Sequence, residues 1–359
     1  MKKVVTQRYT EKTRRYTEVL LIFSVYFCFT SLFSCVDEVQ LPIRQVQARL
    51  VVDGLITDEP PPYSIKLTLS GAYSSGSGFP EELIINGAVV TITDNNDRTV
   101  QLEQDPLLPS YYWVRDPAFR GQVGHRYTLN VVLPDGTVFV SAPELLRAVA
   151  PLEQIQAEYR LANGYSGQPD LYNILINTHD PAMLGDYYRW STYSYVPRWT
   201  GTDPRHSTCT LCSCWVPYYS QLTSVLSDAL INGNRISRRS VFDSPVYAVG
   251  KQYVEVRQYS LSRAAYQYWT LFEEQRSRTG SLFDPQPASI EGNVHLQADT
   301  TVLALGYFGA SAVSRQRLVI PGDTIQYDRF LNRLNKAFIP SGTCPSTFTE
   351  FILAPPASW

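Results

Sequence analysis

The sequence predicts a mainly β protein, with an N-terminal immunoglobulin/fibronectin-like β-sandwich followed by a larger β-rich domain with one main helix. Three observations carry this. Tyrosine and proline each occur 24 times in 359 residues; tyrosine suits pleated, half-buried surfaces and proline breaks helices. Apolar and polar residues alternate in run after run from Val46 to Ser141, the period of a strand with one buried face. Helical spacing stands out in one stretch, after Ser260. With 44% apolar and 18% charged residues, the chain has the composition of a folded protein.

Residues 1–18 are basic and polar. An apolar run follows from Val19 to Phe33, broken by Ser24, Thr30 and Ser31. This is the layout of a signal peptide, and the run is short for a membrane span of about 20 residues. It ends in Leu32-Phe33-Ser34-Cys35, which resembles the lipobox of bacterial lipoproteins. The resemblance implies a signal peptide over 1–34, lipidation at Cys35 and an acylated tether over 35–45 that holds the body to a membrane. The discarded segment holds six basic and two acidic residues, which leaves 25 against 31, a net −6. A mildly acidic body gives no electrostatic reason to expect nucleic acid.

The sandwich is expected over 46–148. Tyr63, Ile65, Leu67 and Leu69 alternate with polar residues, as do Ala88, Val90 and Ile92. Asp94-Asn95-Asn96-Asp97 then turns the chain into Val100 and Leu102. Tyr127, Leu129, Val131 and Leu133 form another strand, and Pro134-Asp135-Gly136 turns it into Val138 and Val140. Ser74-Ser75-Gly76-Ser77-Gly78 follows no strand-to-helix pattern, so it reads as a surface loop and not a phosphate cradle.

Near Pro151 the periodicity breaks, and 149–359 is read as the second domain. Tyr172, Ile174 and Ile176 alternate, and an aromatic stretch runs through Tyr187-Tyr188-Arg189-Trp190. The helix is placed near 261–278, capped by Ser260 or Ser262, with Ala265, Tyr266, Trp269 and Phe272 on a core-facing stripe and Thr279-Gly280 as its stop. Thr301 to Ile320, apolar around Gly306 and Gly309, predicts one buried strand.

Cysteines 209, 212, 214 and 344 remain after Cys28 leaves and Cys35 is lipidated. With His206, the cysteine loop at 206–215 has a C-x2-C-x-C spacing able to wrap Zn²⁺. An exported protein folds in an oxidising compartment, so disulfides are expected and no metal. Cys212 and Cys214 are too close to pair without strain; at least one pairs elsewhere, with Cys209 or across to Cys344.

Leu50-Val51-Val52-Asp53-Gly54-Leu55-Ile56-Thr57-Asp58-Glu59 with Pro62-Tyr63, then Gly280-Ser281-Leu282-Phe283-Asp284-Pro285, Ile290-Glu291-Gly292-Asn293, Leu305-Gly306-Tyr307-Phe308-Gly309-Ala310-Ser311 and Cys212-Ser213-Cys214-Trp215 together resemble the Bacteroidota lipoproteins grouped as domain of unknown function 4249. The acidic Val36-Asp37-Glu38 resembles a surface-export signal of that phylum. The resemblance implies an outer-membrane lipoprotein facing the cell exterior and associated with a TonB-dependent transporter. It carries no catalytic motif and no cofactor.

The residues themselves agree in lacking enzyme signatures. The histidines (His125, His179, His206, His295) form no H-E-x-x-H, no serine sits in G-x-S-x-G, and Asp284 before Pro285 reads as a turn former. The expected function is therefore non-enzymatic, as an accessory of transport for an unidentified small molecule. A structural or adhesive surface protein is the alternative, and a hydrolase a third.

Overall fold

Apolar alternation builds four sheets within the residues that the computed structural model describes: 48–70, 83–162, 168–201, 208–220, 224–277, 290–322 and 338–356. Cys35, the loop at 74–78, His206, Asp284 and the family-like stretch at 280–288 lie outside them. The first sheet has the order β20 (Leu305–Ser311), β1 (Leu50–Thr57), β2 (Tyr63–Leu69), β7 (Tyr111–Val114), β6 (Glu103–Gln104), with β3 (Leu83–Ile84) also on β2. The second runs β19 (Asp299–Leu303), β18 (Val294–Leu296), β9 (Val138–Ser141), β8 (Arg126–Val132), β4 (Val89–Asp94), β5 (Thr99–Gln101), with β10 (Glu144–Leu145) on β8. The third is β11 (Leu152–Arg160), β12 (Asp170–His179), β16 (Arg235–Val246). The fourth is β14 (Ser213–Tyr219), β13 (Tyr187–Trp199), β17 (Gln252–Ser260), β21 (Val313–Ile320), with β15 (Ser224–Ser227) on β13.

The first two sheets close on one core. Val52, Ile65 and Leu67 come from one side and Val90, Ile92, Leu129 and Val131 from the other, all fully buried. At about 1.5–3 kcal/mol for each such side chain, this layer is the main driving force of the sandwich. The third and fourth sheets share a second core, with Ile174 and Ile176 against Tyr188, Trp190, Val254 and Val256. The Asp94–Asp97 turn is as expected: the Asp94 carboxylate accepts from the N–H groups of Asn96 and Arg98, and Asp97 takes a positive φ.

Two elements differ from the sequence reading. Residues 301–320 are not one strand but an extended run interrupted at Ala304 and Ala312. Its parts also serve different cores. β18, β19 and β20 rejoin the first sandwich, where β20 lies parallel to β1 from Val51↔Leu305 to Thr57↔Ser311, while β21 belongs to the fourth sheet beside β17. Gly306 permits the parallel pairing: its φ is +82°, and a Cβ there would lie 1.9 Å from the Val52 carbonyl oxygen.

The main helix, α1 (Arg263–Ser277), begins after Ser262, whose hydroxyl accepts from the Ala265 N–H at 3.0 Å and so selects Ser262 over Ser260 as the cap. Its deepest large side chain is Tyr268, packed on Tyr307 with ring centroids 4.9 Å apart, while Trp269 is only half-buried. Beneath the helix, Glu144 is buried. The Tyr307 hydroxyl donates to its Oε1 at 2.5 Å and the Asn293 amide at 3.3 Å, while its Oε2 is without a partner. Burial pushes the Glu144 carboxyl above its ordinary 4.5, against hydrogen bonds from Tyr307, Ser262 and Asn293.

The cysteines pair as Cys209–Cys212 and Cys214–Cys344. Cys214 and Cys344 are buried, and Cys344 opens a short helix, α2 (Cys344–Thr347). The last segment is stitched to the cysteine loop by Cys344 N–H to the Leu211 carbonyl and by mutual backbone bonds between Trp215 and Ile352, each 2.9 Å.

Two predictions follow from these buried groups. A carboxyl whose pKa is raised by folding weakens the fold as it ionises, so the contribution of Glu144 to stability should fall as pH rises above about 4.5. Glu144→Gln should flatten that fall and melt at or above the parent temperature at neutral pH; an unchanged pH slope would refute the assignment. The Cys214–Cys344 bridge spans 130 residues, worth about 4–5 kcal/mol in the chain-entropy model, against about 2 kcal/mol for the three-residue separation of Cys209–Cys212. Denaturant unfolding of the two double alanine variants should rank them in that order, and peptide mapping of the unreduced protein should recover these pairs and no others.

Candidate functional site

Strand register places a set of charged and aromatic side chains on the outer face of the fourth sheet. In β13, Tyr188 and Trp190 point to the core, so Tyr187, Arg189 and Ser191 point away from it. Pairing then aligns Arg189 with Tyr259, Ser191 with Arg257 and Tyr193 with Glu255 across β17, and Arg257 with Arg315 and Glu255 with Arg317 across β21. The first sheet contributes another outward row, in which Lys66 on β2 lies between Asp53 on β1 and Tyr111 on β7.

Between these two faces lies a cleft of about 610 Å³, completed by Glu59 from the β1–β2 connection and by Trp269 from α1. Its wall carries four cations, Lys66, Arg189, Arg257 and Arg315, against two carboxylates, Asp53 and Glu59, so it is electropositive in a chain of net negative charge.

Most of these charges are neutralised within the protein. Glu255, fully buried, accepts from Arg257 Nε and Arg317 Nε at 2.7 Å each, and Glu59 lies 3.6 Å from Arg257 and 3.5 Å from Arg315. Burial alone would raise the Glu255 carboxyl, but the hydrogen bonds from Arg317 and Arg257 outweigh it and hold the group below the ordinary range.

Arg189 is different. Its guanidinium lies 4.3 Å from the Trp269 ring centroid and 4.9 Å from that of Tyr259, within cation–π range of both rings. Its Nε is buried without a hydrogen-bond partner. Among the described residues no carboxylate forms an ion pair with it; burial lowers its pKa, against smaller opposing effects of Tyr259 and Asp53. The arrangement is a planar, pre-oriented donor fork at the wall of a cleft, the geometry that receives a carboxylate or phosphate from outside the chain.

The residues singled out from sequence are elsewhere. The four body cysteines are consumed in disulfides. His125 lies 3.6 Å from Asp94, His179 ends β12 and His295 is in β18; none of the three lines the cleft. The sequence reading missed Arg189, Trp269 and Asp53 as site residues. The available signal was an arginine inside the aromatic run Tyr187–Trp190, where a strand position facing neither core nor open water calls for a different explanation.

A second cluster also went unread. Carboxylate oxygens of Asp180, Asp186 and Asp228 lie within 4.8 Å of one another. Protein donors serve all three: Tyr188 and the Gly233 N–H on Asp180, the N–H groups of Gly185 and Asp186 on Asp228, and Arg147 on Asp186. Burial raises the Asp186 carboxyl, against the Arg147 contact. The cluster ties two turns together.

Two solved structures are weakly similar to this chain over part of its length. One is a DUF4785 family protein from Legionella pneumophila, 9% identical, with 59% of this chain aligned to 52% of that one at a TM-score of 0.20. The other is the chicken interferon gamma receptor alpha chain, 7% identical, covering 60% of this chain and 91% of that one at a TM-score of 0.19. The chain spans about half the length of the first, and likeness at this level carries no argument. No curated protein matches it. The model of one family, described as a domain of unknown function, DUF4249, matches residues 36–317, and the chain belongs to that family.

Proposed function

We propose that this protein is a surface-exposed outer-membrane lipoprotein, anchored through acyl chains on Cys35, that captures a small molecule as a non-enzymatic accessory of a TonB-dependent transporter. The observation that carries the reading is the cleft. It presents an unpaired guanidinium and aromatic rings on a rigid strand register, and among its lining residues there is no histidine or cysteine to act as base or nucleophile. A hydrolase of the serine or cysteine type would need a histidine converging there on its nucleophile. The address rests on Leu32-Phe33-Ser34-Cys35 and the acidic Asp37-Glu38, which resemble the signals of Bacteroidota surface lipoproteins. More than one acyl chain makes anchorage stable where a single chain would be marginal.

The test is a mild-detergent pull-down of the tagged protein from its native membrane. A TonB-dependent barrel recovered at near-equal amount is the expected result. Recovery of other surface proteins in its place would support the structural or adhesive alternative. Cys35→Ala should release the protein from the outer-membrane fraction, and retention there would overturn the lipid anchor.

A further inference from the structure

We infer that the cleft binds a sugar acid of the uronate type, with its carboxylate seated on Arg189. This deepens the reading of the chain as a capture protein, and it is scored without any transporter, so either claim can fail while the other stands.

Three features choose this chemistry. The first is the anchor. An arginine half-buried in a cleft, with its Nε desolvated and no ion pair among the described residues, is a costly arrangement unless an anion completes it. Trp269 and Tyr259 both pack on the guanidinium, which restricts its orientation before a ligand arrives.

The second feature sets the charge of the ligand. Asp53 and Glu59 share the cleft with Arg189. A carboxylate carries one charge and matches the one guanidinium fork on this wall that no carboxylate of the described residues pairs. The remaining arginines on that wall, Arg257 and Arg315, are already paired to Glu59 and Glu255.

The third feature is what else the ligand must bring. Asp53 is exposed and has no ion pair within 4.0 Å among the described residues, so it offers free acceptors for hydroxyl groups. Tyr111 offers a ring wall on the opposite side of Lys66, whose ammonium lies 5.7 Å from its centroid. A ligand with one carboxylate, several hydroxyls and an apolar ring face satisfies all three. The cleft of about 610 Å³ falls inside the roughly 300–1,000 Å³ range of small-molecule sites.

The experiment is isothermal titration of the full-length protein in mild detergent with glucuronate, galacturonate and their short oligomers. Glucose and glucose 6-phosphate serve as neutral and phosphate comparisons. Saturable binding of a uronate, with glucose at least tenfold weaker, is expected. Arg189→Gln should weaken it about 10- to 100-fold, the scale of one charge-assisted hydrogen-bond pair, and Arg189→Lys should fall between, since it keeps the charge but not the fork. A measurement on the unaltered protein guards against variants that do not fold: phenylglyoxal should modify Arg189, and the bound uronate should protect it in peptide mass spectra. No saturable uronate binding, equal binding of glucose, tighter binding of glucose 6-phosphate, or uronate binding that leaves Arg189 unprotected would each overturn the assignment.

Discussion

The parallel pairing of β20 with β1 is the constraint on which the rest of the molecule depends. It joins Val51 to Leu305 and Thr57 to Ser311, so the strands of the second core lie, in sequence, between two strands that pair in the first. At Ala312 the same run leaves the first sheet and becomes β21 of the fourth. The crossing is pinned on both sides: Ser260 and Ala312 exchange backbone and hydroxyl contacts at 2.9 and 3.1 Å, and the Val313 N–H donates to Asp58 Oδ1 at 2.8 Å. One continuous extended segment therefore sets the separation between β1 and β17, the two walls of the cleft. Such non-local closure carries a large entropic cost before its contacts form. It also explains why Gly306 has no room for a side chain: a Cβ there would run into the Val52 backbone of the paired strand.

Buried charge is handled in two opposite ways within a few ångströms of sequence register. Glu255 is wholly inside but receives two arginines in good geometry, the condition under which a buried ion pair is tolerated. Arg189, two rows along the same sheet face, receives rings and no carboxylate. The rings recover part of the lost hydration through cation–π attraction, about 2 kcal/mol or more when desolvated, yet they leave the N–H donors unmet. Stability alone would favour an apolar residue at this strand position, and departures of this kind concentrate at sites that exist for a ligand.

Much of the first sandwich was legible because its strands bury one face. Tyr63–Leu69 and Tyr127–Val132 alternate strictly, and their turns carry Asp94 and Gly136 where the backbone requires them. The helix was legible from the same kind of local signal, to within two residues at its start. The return of β18 to β20 was not, because parallel pairing between distant segments leaves no trace in local periodicity; Val302 to Val313 looks largely apolar whichever sheet its parts join. The cleft was hidden for a related reason. In Tyr187-Tyr188-Arg189-Trp190 every residue has a large apolar body and, but for the arginine, an equal claim to the core, so residue type does not say which face is buried. Only the pairing with Tyr259 and the docking of α1 turn Arg189 and Trp269 toward each other.

Placing the site between two sandwiches, and not on loops, has a physical consequence. Residues at one level of adjacent strands are held about 5 Å apart by the hydrogen-bond ladder itself, so the spacing of Arg189, Tyr259 and the Arg257–Arg315 pair is a property of the sheet. Loops adapt to a ligand at an entropic cost; a strand-mounted arginine clamped by two rings has already lost that freedom during folding. The disulfide Cys214–Cys344 and the Trp215–Ile352 bridge act on the far edge of the same sheet, through β14 and β13. They stiffen the strand that carries Arg189 without touching the cleft, which separates the stability of the scaffold from the chemistry of the site.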